Sequence, residues 1–158
     1  MEEIKVLQEN GFKGFTSVKN LKSNHECIPP VGGVYVVVRD TEDAPEFLEK
    51  GTGGFFKGKN PNVGIEELEA NYVGSSRIMY IGKGNNLKRR IRQLLQFASG
   101  KNIGHWGGRY LWQLADSDNL LIAWKELPTT EDPHKVESEM LKDFFDTHGK
   151  LPFANLTR

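Results

Sequence analysis

The chain has 158 residues and balances 21 basic against 21 acidic side chains, and its hydrophobic and charged fractions of 37% and 27% suit one folded unit with its own core. No apolar run approaches the roughly 20 residues of a membrane-spanning helix, and the acidic start Met1-Glu2-Glu3 argues against a secretion signal, so a cytoplasmic protein with no membrane partner is expected. The lone Cys27 excludes an internal disulfide and has no partner at zinc-binding spacing.

In chain order, a short helix is expected from Ile4 to Asn10, inside an arm of residues 1–30 that ends in the Pro29-Pro30 loop. Gly33 to Arg39 is β-branched and aromatic, which predicts a strand. Residues 40–76 break into Gly- and Asn-rich turns around two short helices, Pro45 to Lys50 and Val63 to Asn71. Arg77 to Gly82 predicts a second strand, followed by helices from Asn86 to Ala98 and from Arg109 to Leu114. Asn119 to Lys125 reads as a third, largely buried strand. The last helix opens on Asp132-Pro133, an acidic cap with Pro in the first turn, and stops near Thr147, before His148-Gly149. The sum is a single α+β domain over 1–158, a small three-stranded sheet flanked by helices.

Charge is distributed unevenly along this neutral chain. Between Ala70 and Ala115 there is no Asp or Glu, while Arg77, Lys83, Lys88, Arg89, Arg90, Arg92, Lys101 and Arg109 all fall there. A local positive field on a neutral protein points to a defined anionic partner, phosphate above all. On the helix after the second strand, Leu87, Ile91, Leu94, Leu95 and Ala98 form the apolar stripe; Arg89 points away from it and Arg90 lies on its flank. Lys88, Arg89 and Arg92 fit an ordinary solvated face, whereas packing holds Arg90 where it can reach a fixed site.

The last helix carries a second irregularity. Val136, Met140, Leu141, Phe144 and Phe145 make its apolar face, and Glu137 falls in the middle of that face while Glu139 falls opposite. A carboxylate facing a core is costly unless it pairs with an arginine or binds a cation. The stretch Gly53 to Asn60 imitates a phosphate-cradling Gly-x-x-x-x-Gly-Lys loop. Asn60 replaces the Ser/Thr that such a loop needs, no clear strand precedes it, and Pro61 follows, so nucleotide hydrolysis is rejected there. The expectation instead is a surface excursion that shapes a substrate groove through Phe55, Phe56, Lys57 and Lys59.

The ordered set Gly33-Val34-Tyr35, Tyr80-Ile81-Gly82, Arg90 ten residues after Tyr80, Glu137 on a late helix and Asn155 beyond Pro152 resembles the GIY-YIG nuclease family over roughly Gly33 to Asn155. The resemblance implies an antiparallel three-stranded sheet and a metal-dependent endonuclease acting on DNA with one Mg²⁺ (or Mn²⁺). In it Tyr35 activates or orients the attacking water, Tyr80 positions it, and Lys83 assists proton transfer. Arg90 neutralises the phosphoryl group, Glu137 ligates the metal, and Asn155 orients the site, with Lys88, Arg89, Arg92 and Arg109 as further DNA contacts. The chain departs from the family in the long connection at 40–76, in Val34 at the middle of the first motif, and in Leu94, where many members carry His or Tyr. His105 is the candidate substitute for that missing group. The alternative is a module of the same fold that binds nucleic acid without cleaving it, or a domain with a purely structural or protein-binding role.

Overall fold

The computed structural model describes residues 2–156. Four antiparallel strands form one sheet in the order β1-β4-β2-β3, with β1 at Lys13–Ser17, β2 at Gly33–Val38, β3 at Ile78–Gly84 and β4 at Leu121–Glu126. Five α-helices accompany it: α1 Glu2–Glu9, α2 Val18–Ser23, α3 Ile65–Asn71, α4 Leu87–Ala98 and α5 Pro133–His148. The class is α+β as expected, but the sheet has four strands rather than three. The additional strand and α2 both lie in residues 1–30, read from sequence as an arm. Among the described residues no helix is long and apolar enough to cross a membrane.

All six residues of β2 are buried, because β4 and β3 flank it and both of its faces are covered. Strand alternation divides them. Tyr35 and Val37 join Ile122, Trp124 and the α4 residues Leu87, Ile91 and Leu94 in one cluster. Val34, Val36 and Val38 join Ile81, Ala123, Leu7 of α1 and Leu141 of α5 in the other. The predicted stripe of α4 is buried in full. On α5, Leu141 and Phe144 are buried and Val136 and Met140 are half-buried, whereas Phe145 is 44% exposed and does not belong to the packed face. Asp132 caps α5 by accepting from the His134 amide, and Gly149 ends it at φ 74°, the left-handed conformation glycine takes at a helix stop.

The connection from β2 to β3 differs from expectation in detail. Pro45 to Lys50 is not a helix: Phe47 is drawn into a bridge with Leu114, and its ring packs against Tyr72 and Phe153. The second helix begins at Ile65 rather than Val63. The helix expected from Arg109 to Leu114 is part of a 3-10 segment, Trp106–Gln113, broken at Gly108 and ending one residue earlier. The buried Gln113 side chain fastens the connection to this segment. Its Nε2 donates to the Leu48 and Val63 carbonyls, and its Oε1 accepts from the Val63 amide, each at 2.9 Å.

Candidate active site

Tyr35 and Tyr80 leave adjacent strands on the same face, toward α4. Register explains how their rings come together: Tyr35 lies opposite Gly82, and Tyr80 lies opposite Val37. Gly82 is what makes room, since a Cβ there would run into the Tyr35 ring and hydroxyl. The two rings stand 6.1 Å apart, tilted by 45°. Gly84 plays a similar part for Arg90, whose Cβ would lie 2.9 Å from a Cβ at that position.

His105 completes this group from a distant loop. Its Nε2 is 2.8 Å from the Tyr35 hydroxyl, and its ring centre is 5.8 Å from that of Tyr80. Burial, reinforced by the nearby Arg90 charge, lowers its pKa to about 3, so the imidazole is neutral at physiological pH. Its Nδ1 is buried with no hydrogen-bond partner among the described residues. Burial also raises the pKa of both phenols, while Arg90 pulls them down; Tyr35, fully buried and set beside Tyr80, is pushed well above the ordinary phenol value. Leu94, one turn after Arg90, is part of the core.

Arg90 is half-buried on α4. Its Nη1 donates to the Gln93 side chain at 2.9 Å and to the Gly104 carbonyl at 3.0 Å, so both the helix and the His105 loop aim it. Among the described residues it has no carboxylate partner within salt-bridge distance, and its charge is left uncompensated. The Glu137 carboxylate, half-buried on α5, is likewise in no salt bridge among the described residues. Burial raises its pKa, opposed by Lys83, His134 and Arg90 in that order. The arginine-paired carboxylate considered from sequence is therefore not what the structure contains. Both Arg90 and Glu137 act electrostatically on the two phenols.

The remaining sequence candidates separate. Lys83 alternates with Gly82 and leaves β3 on the α5 side, where it faces Glu137 rather than the phenols. Asn155 does not reach the cluster. Its side chain accepts from the Ile81 amide and donates to the Ile81 carbonyl, both at 2.9 Å, and so fixes the strand segment between Tyr80 and Gly82. Lys88 is engaged by Glu26 at 2.9 Å, while Arg89 and Arg92 are exposed. Arg109 stacks over Trp106 at 4.7 Å, next in the chain to the His105 loop. Gln93, Gly84 and the Gly104 carbonyl carried no sequence signal of a role, because each matters only through its contact with Arg90.

A metal ion is compatible with this donor set in one form only. Among the described residues no three His, Cys, Asp or Glu side chains gather into a cation site. An ion at Glu137 would therefore rest on one carboxylate, with water and phosphate oxygens supplying the other ligands, an arrangement that Mg²⁺ accepts. The unpaired, half-buried Glu137 carboxylate fits that requirement. No protein-family model matches the chain, and no match was found among curated proteins or among solved structures.

Proposed function

We propose that this protein is a metal-dependent endonuclease that hydrolyses DNA phosphodiester bonds, with a GIY-YIG-like arrangement of strands β4, β2 and β3 as its catalytic scaffold. The observation that carries the reading is the gathering of Tyr35, Tyr80, His105 and an uncompensated Arg90, with an unpaired Glu137 close enough to bias both phenols. These side chains come from five separate parts of the sequence. A stable fold gains little from burying phenols and an imidazole beside a lone guanidinium, so a ligand is the economical explanation for them.

In this reading Arg90 binds the scissile phosphate and stabilises the charge that builds there as water attacks phosphorus. The P–O3′ bond breaks, leaving a 5′-phosphate and a 3′-hydroxyl. The water proton goes to a phenol oxygen in its ionised form, and Tyr80 suits that role better than Tyr35, which is more deeply buried and harder to ionise; the departing O3′ takes a proton from solvent. Tyr35 and neutral His105 then fix the phenol pair in place. Glu137 would hold the Mg²⁺, which when bound supplies a Lewis acid for the phosphoryl oxygens. Lys83 sets the charge around Glu137, and Asn155 holds β3. A cytoplasmic setting belongs to the same proposal, supported by the lone cysteine.

The test is nicking of supercoiled plasmid in Mg²⁺ or Mn²⁺. Wild-type cleavage that falls by about 100-fold or more in Arg90→Ala and in Glu137→Ala is the expected result; equal turnover in all three ends the proposal. A second reading, a module of the same fold that binds without cutting, draws on the raised phenol pKa values, which leave little phenolate at neutral pH. Salt-sensitive DNA binding with no cleavage in either metal between pH 7 and 9 would select it.

A further inference from the structure

The connection between β2 and β3 is joined to the candidate site through a few tight contacts. Gly53 and Gly54 are buried, and a Cβ at Gly54 would collide with the Lys101 carbonyl. The Lys57 amide donates to the Asn102 side chain at 3.0 Å. A Cβ on Gly104, whose carbonyl accepts from Arg90, would lie 3.6 Å from the Phe56 ring. The loop that carries His105 and helps aim Arg90 is therefore packed against residues 53–57. At the second of these contacts the backbone turns sharply: Lys57 holds φ 54°, a left-handed conformation that a lysine adopts only at some cost.

This firm base presents an exposed aromatic. Phe55 is 47% exposed, and among the described residues its ring stacks on no other. Lys57 and Lys59 beside it are exposed, with the Lys57 ammonium 5.3 Å from the Phe56 ring centre. A solvent-facing ring flanked by cations, on a turn whose Phe56 lies against the Gly104 that accepts from the unpaired Arg90, has the makeup of a base-stacking platform. Duplex DNA offers no free base face to such a ring, because its bases are stacked on one another.

We propose that the Phe55–Lys59 turn is a stacking site for an unpaired base next to the scissile phosphate. The substrate class is then DNA with single-stranded character at the cut, such as a flap, gap or branch, rather than uniform duplex. The cleavage arm of this proposal rests on the nuclease reading above; its binding arm does not.

The experiment compares wild type with Phe55→Ala and Phe55→Trp in two assays. In EDTA, anisotropy of a fluorescent single-stranded oligonucleotide should show affinity falling about 10-fold in Phe55→Ala and retained in Phe55→Trp. In Mg²⁺, wild type should cut a flapped duplex at least about 10-fold faster than the matched blunt duplex, and Phe55→Ala should lose that preference. Single-strand affinity unaffected by Phe55→Ala, or equal cutting of both substrates by wild type, overturns the stacking site. Phe55-dependent single-strand binding with no cleavage of any substrate supports it while removing the nuclease reading.

Discussion

On the side covered by α1 and α5, β2 contributes Val34, Val36 and Val38, and they meet Ile81, Ala123, Leu7 and Leu141. On the side covered by α4, the same strand contributes Tyr35 beside Tyr80, with the buried His105 imidazole bonded to the Tyr35 hydroxyl and close to the Tyr80 ring. The first side is assembled from apolar groups, Phe12 among them, whose demand is volume. The second buries three polar rings, one with a nitrogen that has no partner among the described residues, where aliphatic side chains would cost nothing in hydrogen bonding. That contrast, rather than cavity size, is what singles out the α4 side as the candidate site. An apolar groove of about 580 Å³ does lie between α1 and α5, but its lining includes Leu7, Ile81, Met140 and Phe144 and none of the polar rings.

The largest expected effect comes from exchanging one group on each side. Tyr80→Phe deletes a single oxygen and should lower DNA nicking by about 100- to 10,000-fold, with a thermal midpoint close to wild type. Val36→Ala should do the reverse, losing about 2 kcal/mol of unfolding free energy in urea titration while keeping activity per folded molecule. Should Tyr80→Phe instead lower the thermal midpoint and keep activity per folded molecule, the phenol side is only a second core.

Gly82→Ala comes next. Its Cβ would force the Tyr35 ring aside, so about 1–3 kcal/mol of stability should be lost together with nicking, measured by denaturation and plasmid assay. A neutral outcome would mean that the phenol register tolerates more room than the packing shows.

The His105 prediction concerns pH. The unfolded chain takes up a proton on this residue below about pH 6.5, while the folded imidazole stays neutral down to about 3. Its contribution to stability is thus complete above 6.5 and shrinks as pH falls, at up to about 1.4 kcal/mol per pH unit. His105→Phe should flatten the acid side of a stability-versus-pH curve, and an unchanged slope would show that the imidazole is already charged or solvated in the native state. At the small end, Lys88→Ala removes only the half-buried partner of the exposed Glu26 and should move stability by less than about 0.5 kcal/mol in the same titration.

What could be read from sequence follows the range of the interactions involved. The α4 stripe, the α5 stripe apart from Phe145, and β2, β3 and β4 were legible because each depends on local periodicity. Strand β1 was not: Lys13-Gly14-Phe15-Thr16-Ser17 has no alternation, and Gly14 and Phe15 both take positive φ at a bulge that exists only to fit β4. The helix expected at Pro45 to Lys50 failed for the same reason, since Phe47 obeys the rings of Tyr72 and Phe153 rather than its neighbours in the chain. Within the candidate site, Tyr35, Tyr80, Arg90 and Glu137 were found through an ordered pattern. The face taken by Lys83 was implied by alternation from Tyr80, and the role of Asn155 was visible only once β3 was known to be an outer strand. His105 was reachable only as a substitute for Leu94; its seat depends on a loop shaped by residues 53–57, far from it in sequence.

The bond pair between Asn155 and Ile81 has a consequence for solubility. Strand β3 lies at the rim of the sheet, and the outward-facing amide and carbonyl of Ile81 are satisfied by one side chain that mimics a neighbouring strand, while the Met79 carbonyl accepts from the Ala154 amide. Removing that plug would bare a ladder of unmet donors and acceptors beside apolar residues, the template on which protein molecules add to one another edge to edge. Ala154 and Asn155 thus act as a guard against self-association as well as a brace.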